Sequence, residues 1–183
     1  TAIVNLEMKQ VRNADGTYPT TTEMQLLRGT TFVTVYDGSS YNFVVTTTKR
    51  PSQNGTSYNY NDVSIVQGTY ATDSFIFDNQ LANPKFVLSN ERVDKGKMIV
   101  SVTSGGATET YTLSTGISNI TTTSTVYYAQ ENEEGYIEIY FGDGTLGKSL
   151  LDGDVIDVTY IIVDQDHANG ASQFALNGVV NGF

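Results

Sequence analysis

Residues Gly142 to Ser149, GDGTLGKS, fit the pattern G-x-x-x-x-G-K-[ST], in which backbone amides of a glycine-rich loop cradle phosphates and a lysine reaches the terminal ones. The strand pattern Tyr136 to Phe141 precedes it, and Ile161-Ile162-Val163-Asp164 imitates the apolar strand that ends in a metal-binding Asp. Such a loop works only where it opens a helix, because the helix amides and dipole hold the anion. After Ser149 come Leu150-Leu151 and then Asp152-Gly153-Asp154, so a new strand begins before the roughly 10 residues of a typical helix can fit. Asp143, Asp152 and Asp154 would also repel a triphosphate. A β connection without nucleotide is therefore expected.

The other chemical candidates are weaker. Asp164 to Gly170, DQDHANG, has the look of a calcium loop, but Ala168 stands at its fifth position and Ala175 at its twelfth, where carboxylates are needed. An Asx-rich turn explains it better. His167 is the single imidazole and has no evident nucleophile beside it, so a serine triad is not expected. Glu134 with Glu138 could be drawn as the acid and base of a glycosidase, yet Glu131, Glu133 and Glu134 crowd a hairpin tip where water keeps carboxylates ionised. Tyr58, Tyr60 and Tyr70, with Asn59 and Asn61, could stack on sugars, which makes a carbohydrate- or receptor-binding module the alternative reading. Tyrosine serves protein interfaces equally well. No catalytic residue, cofactor or metal is expected.

These residues must be positioned by strands. The chain has 12 Tyr, 8 Phe and abundant Thr and Val, punctuated by 17 Gly, which favours β structure over helix. Val4, Leu6 and Met8 supply one face of a first strand. Thr20 to Leu27 is too short for a free-standing helix and reads as loop or short strand. Thr30 to Tyr36 and Tyr41 to Thr48 form a hairpin through Asp37-Gly38. Phe32, Thr34 and Tyr36 share one face of it and Val33 and Val35 the other, which suggests cover on both sides, from the chain or an assembly partner. Arg50 to Tyr60 is polar and reads as a surface loop, followed by a short strand at Val63, Ile65 and Gln67.

A second hairpin joins Met98 to Thr103 with Glu109 to Leu113 through Gly105-Gly106, after the strand Phe86 to Leu88 and a charged loop. A third joins Val126 to Gln130 with Tyr136 to Phe141. The last strand, Val155 to Val163, places Ile156, Val158, Tyr160 and Ile162 on one face. The expected fold is all-β, strand-dominated: two small antiparallel β domains or one elongated sandwich-like unit. The expected division is an N-terminal β domain over 1–72, a second over 73–165, and a Gly/Asn-rich segment over 166–183 that is a tail, a linker or a swapped strand.

Composition narrows the partners. Ten Lys and Arg against twenty Asp and Glu leave a formal charge of −10, which opposes binding to a phosphate backbone, so nucleic acid is not expected. No apolar run reaches the roughly 20 residues of a membrane helix, and no membrane partner is expected. The absence of cysteine removes disulfides, thiolate metal sites and thiol nucleophiles, and suits assembly in a reducing cytoplasm. Thr1 to Met8 has neither an initiator Met nor the basic-then-apolar pattern of a secretory signal, and the sequence reads as a portion of a longer protein.

Taken past Ser149, the stretch FGDGTLGKSLLDGDVIDVTY resembles the signature of the baseplate J-like family of contractile-tailed bacteriophages. Phe141, Gly142, Asp143, Gly144, Gly147, Gly153, Ile156, Val158 and Tyr160 occupy its places, and Asn169-Gly170 is similar to the turn that follows the Tyr. Leu151 departs from it where a proline is often found. Arg28 to Phe32 and Phe86 to Val102 fit in the same order, so the resemblance spans roughly Leu27 to Phe183. It implies a fragment of a baseplate wedge subunit, a structural protein of the virion tail and not an enzyme, assembled in the host cytoplasm. The implied partners are other copies of itself, as in a dimer or larger homo-oligomer, and other wedge proteins joined around the hub. Within it Asp143 and the glycines would shape a crossover between strands rather than hold a ligand.

Overall fold

The structure is a computed structural model and describes residues 1–9, 12–55, 57–116, 118–163, 168–177 and 180. It is all-β, with two curled sheets. The chain divides into two compact units, Thr1–Thr69 with Val163–Phe183, and Tyr70–Ile162.

The first unit opens with β1 (Ala2–Lys9), β2 (Thr31–Tyr36), β3 (Ser39–Val45), β4 (Ser52–Asn54) and β5 (Ser57–Gln67). β2 and β3 form the expected hairpin: Tyr36 pairs with Ser39 across Asp37 and Gly38, whose φ values of 49° and 76° give the doubly left-handed turn that matches strand twist. Val4, Leu6 and Met8 of β1 pack on a core that includes Phe32, Phe43, Val45 and Ile65. Val35, on the opposite face of β2, is 73% exposed.

The stretch expected to be a surface loop is different. β4 turns at Gly55 into an eleven-residue β5, and Tyr58 and Tyr60 are fully buried in the core. Ser57 to Tyr60 alternates polar and aromatic residues, and tyrosine counts as apolar there because each hydroxyl finds a buried acceptor. Tyr58 donates to the Pro19 carbonyl and Tyr60 to the Met24 carbonyl. Burial pushes the Tyr60 hydroxyl up to about 12. The inward positions of β5 are 58 and 60, then 63 and 65. A bulge makes that change of parity: β1 pairs Val4 with Val63 but Leu6 with Tyr60, and the Asp62 amide, at φ 54°, donates to Asn5 Oδ1 at 2.9 Å. Thr20 to Leu27 is a turn followed by a two-bond bridge between Leu26 and Lys49.

The second unit contains β6 (Thr69–Ile76), β7 (Phe86–Val87), β8 (Ile99–Ser104), β9 (Ala107–Leu113), β10 (Val126–Glu131), β11 (Ile137–Phe141) and β12 (Val155–Ile162). They pair in the order β6-β12-β8-β9-β10-β11-β7. The β8–β9 and β10–β11 hairpins are those read from the sequence. β9 and β10 run parallel, Val126 beside Thr112, because the Ser118–Thr125 tract carries the chain back across the sheet. Val100, Val102, Tyr111, Ile139, Ile156 and Val158 fill the inside. The sheet curls until its end strands touch: the rings of Phe75 on β6 and Phe86 on β7 lie 5.4 Å apart.

Beyond the second unit the chain returns to the first. β13 (Ala175–Asn177) adds antiparallel to β2, and Phe174 stands edge-on to Phe43 at 4.9 Å.

Candidate functional site

The crossover from β11 to β12 begins at Phe141, whose ring meets Phe86 at 5.7 Å and Tyr111 at 5.4 Å, both edge-on. The chain then folds back on itself so closely that side chains are excluded. A Cβ on Gly142 would lie 2.4 Å from the Gly147 carbonyl carbon and 2.6 Å from the Leu146 oxygen. Gly144 and Gly147 have φ of 86° and 95°, and the Gly144 amide donates to the Gly147 carbonyl at 3.1 Å. Inside this knot Asp143 Oδ1 accepts the amides of Thr145 at 2.8 Å and Leu146 at 3.0 Å, as an Asx turn does. Those amides, Leu146 foremost, hold the Asp143 carboxyl below its ordinary range.

Two further elements pin the crossover. The Gly147 amide donates to the Thr121 carbonyl at 3.1 Å and the Lys148 amide to that of Ser124 at 2.8 Å, which gives the Thr/Ser tract its place. The Gly153 amide, at φ 81°, donates to the Phe77 carbonyl, and the Phe77 amide donates back to Asp154, each at 2.9 Å. The nearly buried Asp154 carboxylate accepts the Leu151 amide at 2.8 Å. From there Ile156, Val158 and Tyr160 point into the core. The Tyr160 hydroxyl donates to Asp73 Oδ2 at 2.9 Å, and the same carboxylate accepts the Ser89 amide and hydroxyl at 2.7 and 2.8 Å. Burial above all raises the Tyr160 hydroxyl from its ordinary range.

Phe141, Gly142, Asp143, Gly144 and Gly147 thus form one knot, Gly153 a second tie, and Tyr160 sits where β6 meets the segment after β7. Sequence reasoning missed Asp73, Ser89, Thr121, Ser124 and Phe77. They lie far from the motif in sequence, and no local pattern marks a carboxylate 87 positions from its tyrosine. Asp154 had a signal, since a carboxylate between a turn glycine and a strand is placed to accept turn amides.

Little is left for phosphate chemistry. The amides that would cradle an anion are taken by Asp143, no helix follows Ser149, and the Lys148 ammonium is paired with Glu109, which raises its pKa. The carboxylate pair fares no better. Glu138 accepts the Tyr140 hydroxyl at 2.6 Å and the Lys85 ammonium at 3.2 Å, contacts that lower its pKa, whereas a glycosidase acid needs a raised one. The sugar platform is corrected by burial: Tyr58 and Tyr60 offer no face to a ligand. Among the described residues no cluster of His, Asp and Glu could hold a metal ion. His167 and Asp164 to Asp166 of the calcium-like loop lie outside the described residues.

The second unit is thus a curled β sheet whose glycine crossover is held by its own backbone and by the segments beside it. Residues 70–163, more than half of the chain, match the family of the bacteriophage baseplate wedge protein gp6, third domain, and the chain belongs to that family. The match coincides with the second unit, Tyr70–Ile162, almost to the residue, and covers the whole of the FGDG stretch. The family is one of structural phage proteins, which places the chain in the tail baseplate of a virion. A search of curated proteins finds no match.

Proposed function

We propose that this chain is a structural element of the contractile-tail baseplate wedge that binds copies of itself and other wedge proteins, joining wedges around the central hub, and that it has no enzymatic activity. In this reading it is assembled in the host cytoplasm and binds neither nucleic acid nor membrane. The observation that carries it is the family match together with where polar and apolar groups point. The crossover's backbone amides are engaged by groups of the same unit, while large apolar side chains such as Val35, Ile76, Leu81 and Leu151 are left more than half exposed. An enzyme concentrates unpaired polar groups in a cleft; an assembly protein exposes apolar area that a neighbour covers.

Locating the chain in density of an intact tail tests the wedge assignment, with contacts between adjacent wedges as the expected result. Light scattering of the purified chain tests self-association. A concentration-independent monomer, combined with density in which no two copies touch, would remove the self-association part.

A further inference from the structure

Beside the crossover the second unit has a hollow of about 270 Å³ lined by Phe77, Pro84, Phe86, Tyr140, Phe141 and Leu150. That volume, just under the roughly 300–1,000 Å³ of small-ligand sites, has room for one large apolar side chain. A shallower hollow shares Tyr140 to Asp143 and adds Tyr128 and the exposed Leu146.

The rim is acidic. Asp143 stands in the wall, Asp78 directly follows Phe77, and Asp152 lies two positions past Leu150, with its Oδ1 accepting the Asn79 amide at 3.1 Å. The cations next to the lining are already engaged, Lys85 with Glu138 at 3.2 Å and Lys148 with Glu109. Asp78, Asp143 and Asp152 make no ion pair among the described residues. Each accepts a backbone amide, which leaves its charge in place.

We propose that this hollow is a socket for a different protein, which inserts one large apolar side chain flanked by lysine or arginine. The inference rests on the reading of the chain as a wedge component and names the chemistry of one neighbour. Charge complementarity selects that occupant. A second copy docked face to face would bring the same carboxylates to the hollow on a chain of net charge −10, and like charges facing each other across an interface oppose binding. A basic-apolar segment meets both features at once.

The test is amide-resolved NMR of the full chain titrated with the peptide Lys-Lys-Phe-Lys-Lys, against Lys-Lys-Ser-Lys-Lys and Glu-Glu-Phe-Glu-Glu. The phenylalanine-basic peptide is expected to shift the Phe77, Gly142 and Leu150 amides, to bind about tenfold tighter than either control, and to weaken several-fold at high salt. Ser149→Phe, which fills the hollow from its wall, should abolish the shifts. Asp78→Asn with Asp152→Asn keeps the amide acceptors and should weaken binding about three- to tenfold by loss of charge.

Equal binding of the serine peptide or of the acidic peptide overturns the proposal, as does indifference to Ser149→Phe. Shifts of the same amides with protein concentration alone would show that a second copy occupies the face, and would also overturn it. Absence of the chain from baseplate density would sink the wedge reading whatever the peptides do. A baseplate in which this hollow faces solvent would sink only the socket.

Discussion

In the first unit the hydroxyls of Tyr58 and Tyr60 reach backbone carbonyls of Pro19 and Met24, in a long turn-rich segment. In the second, Tyr160 reaches the carboxylate of Asp73, and the strand that carries it is led in by a crossover folded on its own backbone. A tyrosine that ends on a main-chain carbonyl places little demand on the identity of the segment it anchors, since every residue offers that carbonyl. A crossover in which glycine carbons touch glycine carbonyls restricts residue type at each contact. The second unit therefore writes a recognisable pattern into its sequence, and the family match falls on it and stops at its edges.

The largest effect should come from Gly142→Ala. A methyl group 2.4 Å from backbone cannot be relieved by a rotamer change, and the second unit should lose about 3 kcal/mol or more, read from urea unfolding followed by amide signals of each unit. Full tolerance of alanine there would break the comparison at its centre. Next, Gly144→Val should cost more than about 1 kcal/mol, because φ is 86°, although a Cβ there would make only ordinary contact with the Ser149 side chain at 3.7 Å. For the first unit, Tyr60→Phe leaves the Met24 carbonyl unpaired in the core and should cost about 1–2 kcal/mol, with Tyr58 signals reporting the change.

Smaller effects follow from charge. The folded pKa values of Asp143 and Glu138 are depressed, so what they contribute to stability is complete above the ordinary carboxylate value of about 4 and is lost as pH falls through the folded values. Amide exchange at Thr145 and Leu146, corrected for its intrinsic rate, should speed up at low pH in the parent. The Asp143→Asn variant, which keeps the acceptor without the titration, should respond less. The smallest change is expected from Lys148→Ala: its exposed pair with Glu109 is screened by water, and melting temperature should hardly move. A large loss would mean that the lysine serves something other than a surface ion pair.

Much of the second unit was legible before its structure. Turn glycines, Gly105-Gly106 in one hairpin and Gly135 in the other, fix hairpins within a few residues, and Ile156, Val158 and Tyr160 keep strict period two. In the first unit the period failed at one point. Tyr58 and Tyr60 face inward on even positions and Val63 and Ile65 on odd ones, so a reader counting by twos divides a single strand into a loop and a fragment. The bulge that reconciles them depends on Asn5, fifty-seven positions away, and no local pattern announces it. The closure of the second sheet was unreadable for the same reason, since Asp73, Ser89 and Tyr160 meet only once the sheet has curled.

The return of β13 to β2 has a consequence for synthesis. The first unit is interrupted by the whole of the second, so on the ribosome β2 must wait, with one edge open, until some 140 further residues have been made, as the separation of Thr34 from Gln173 indicates. The inserted unit, whose sheet is built from residues already in hand, can finish folding first. The exposed edge of β2 in the nascent chain is then the place where pairing with a neighbouring chain competes with correct completion, and slowing translation through the last residues should raise the yield of misassembled protein.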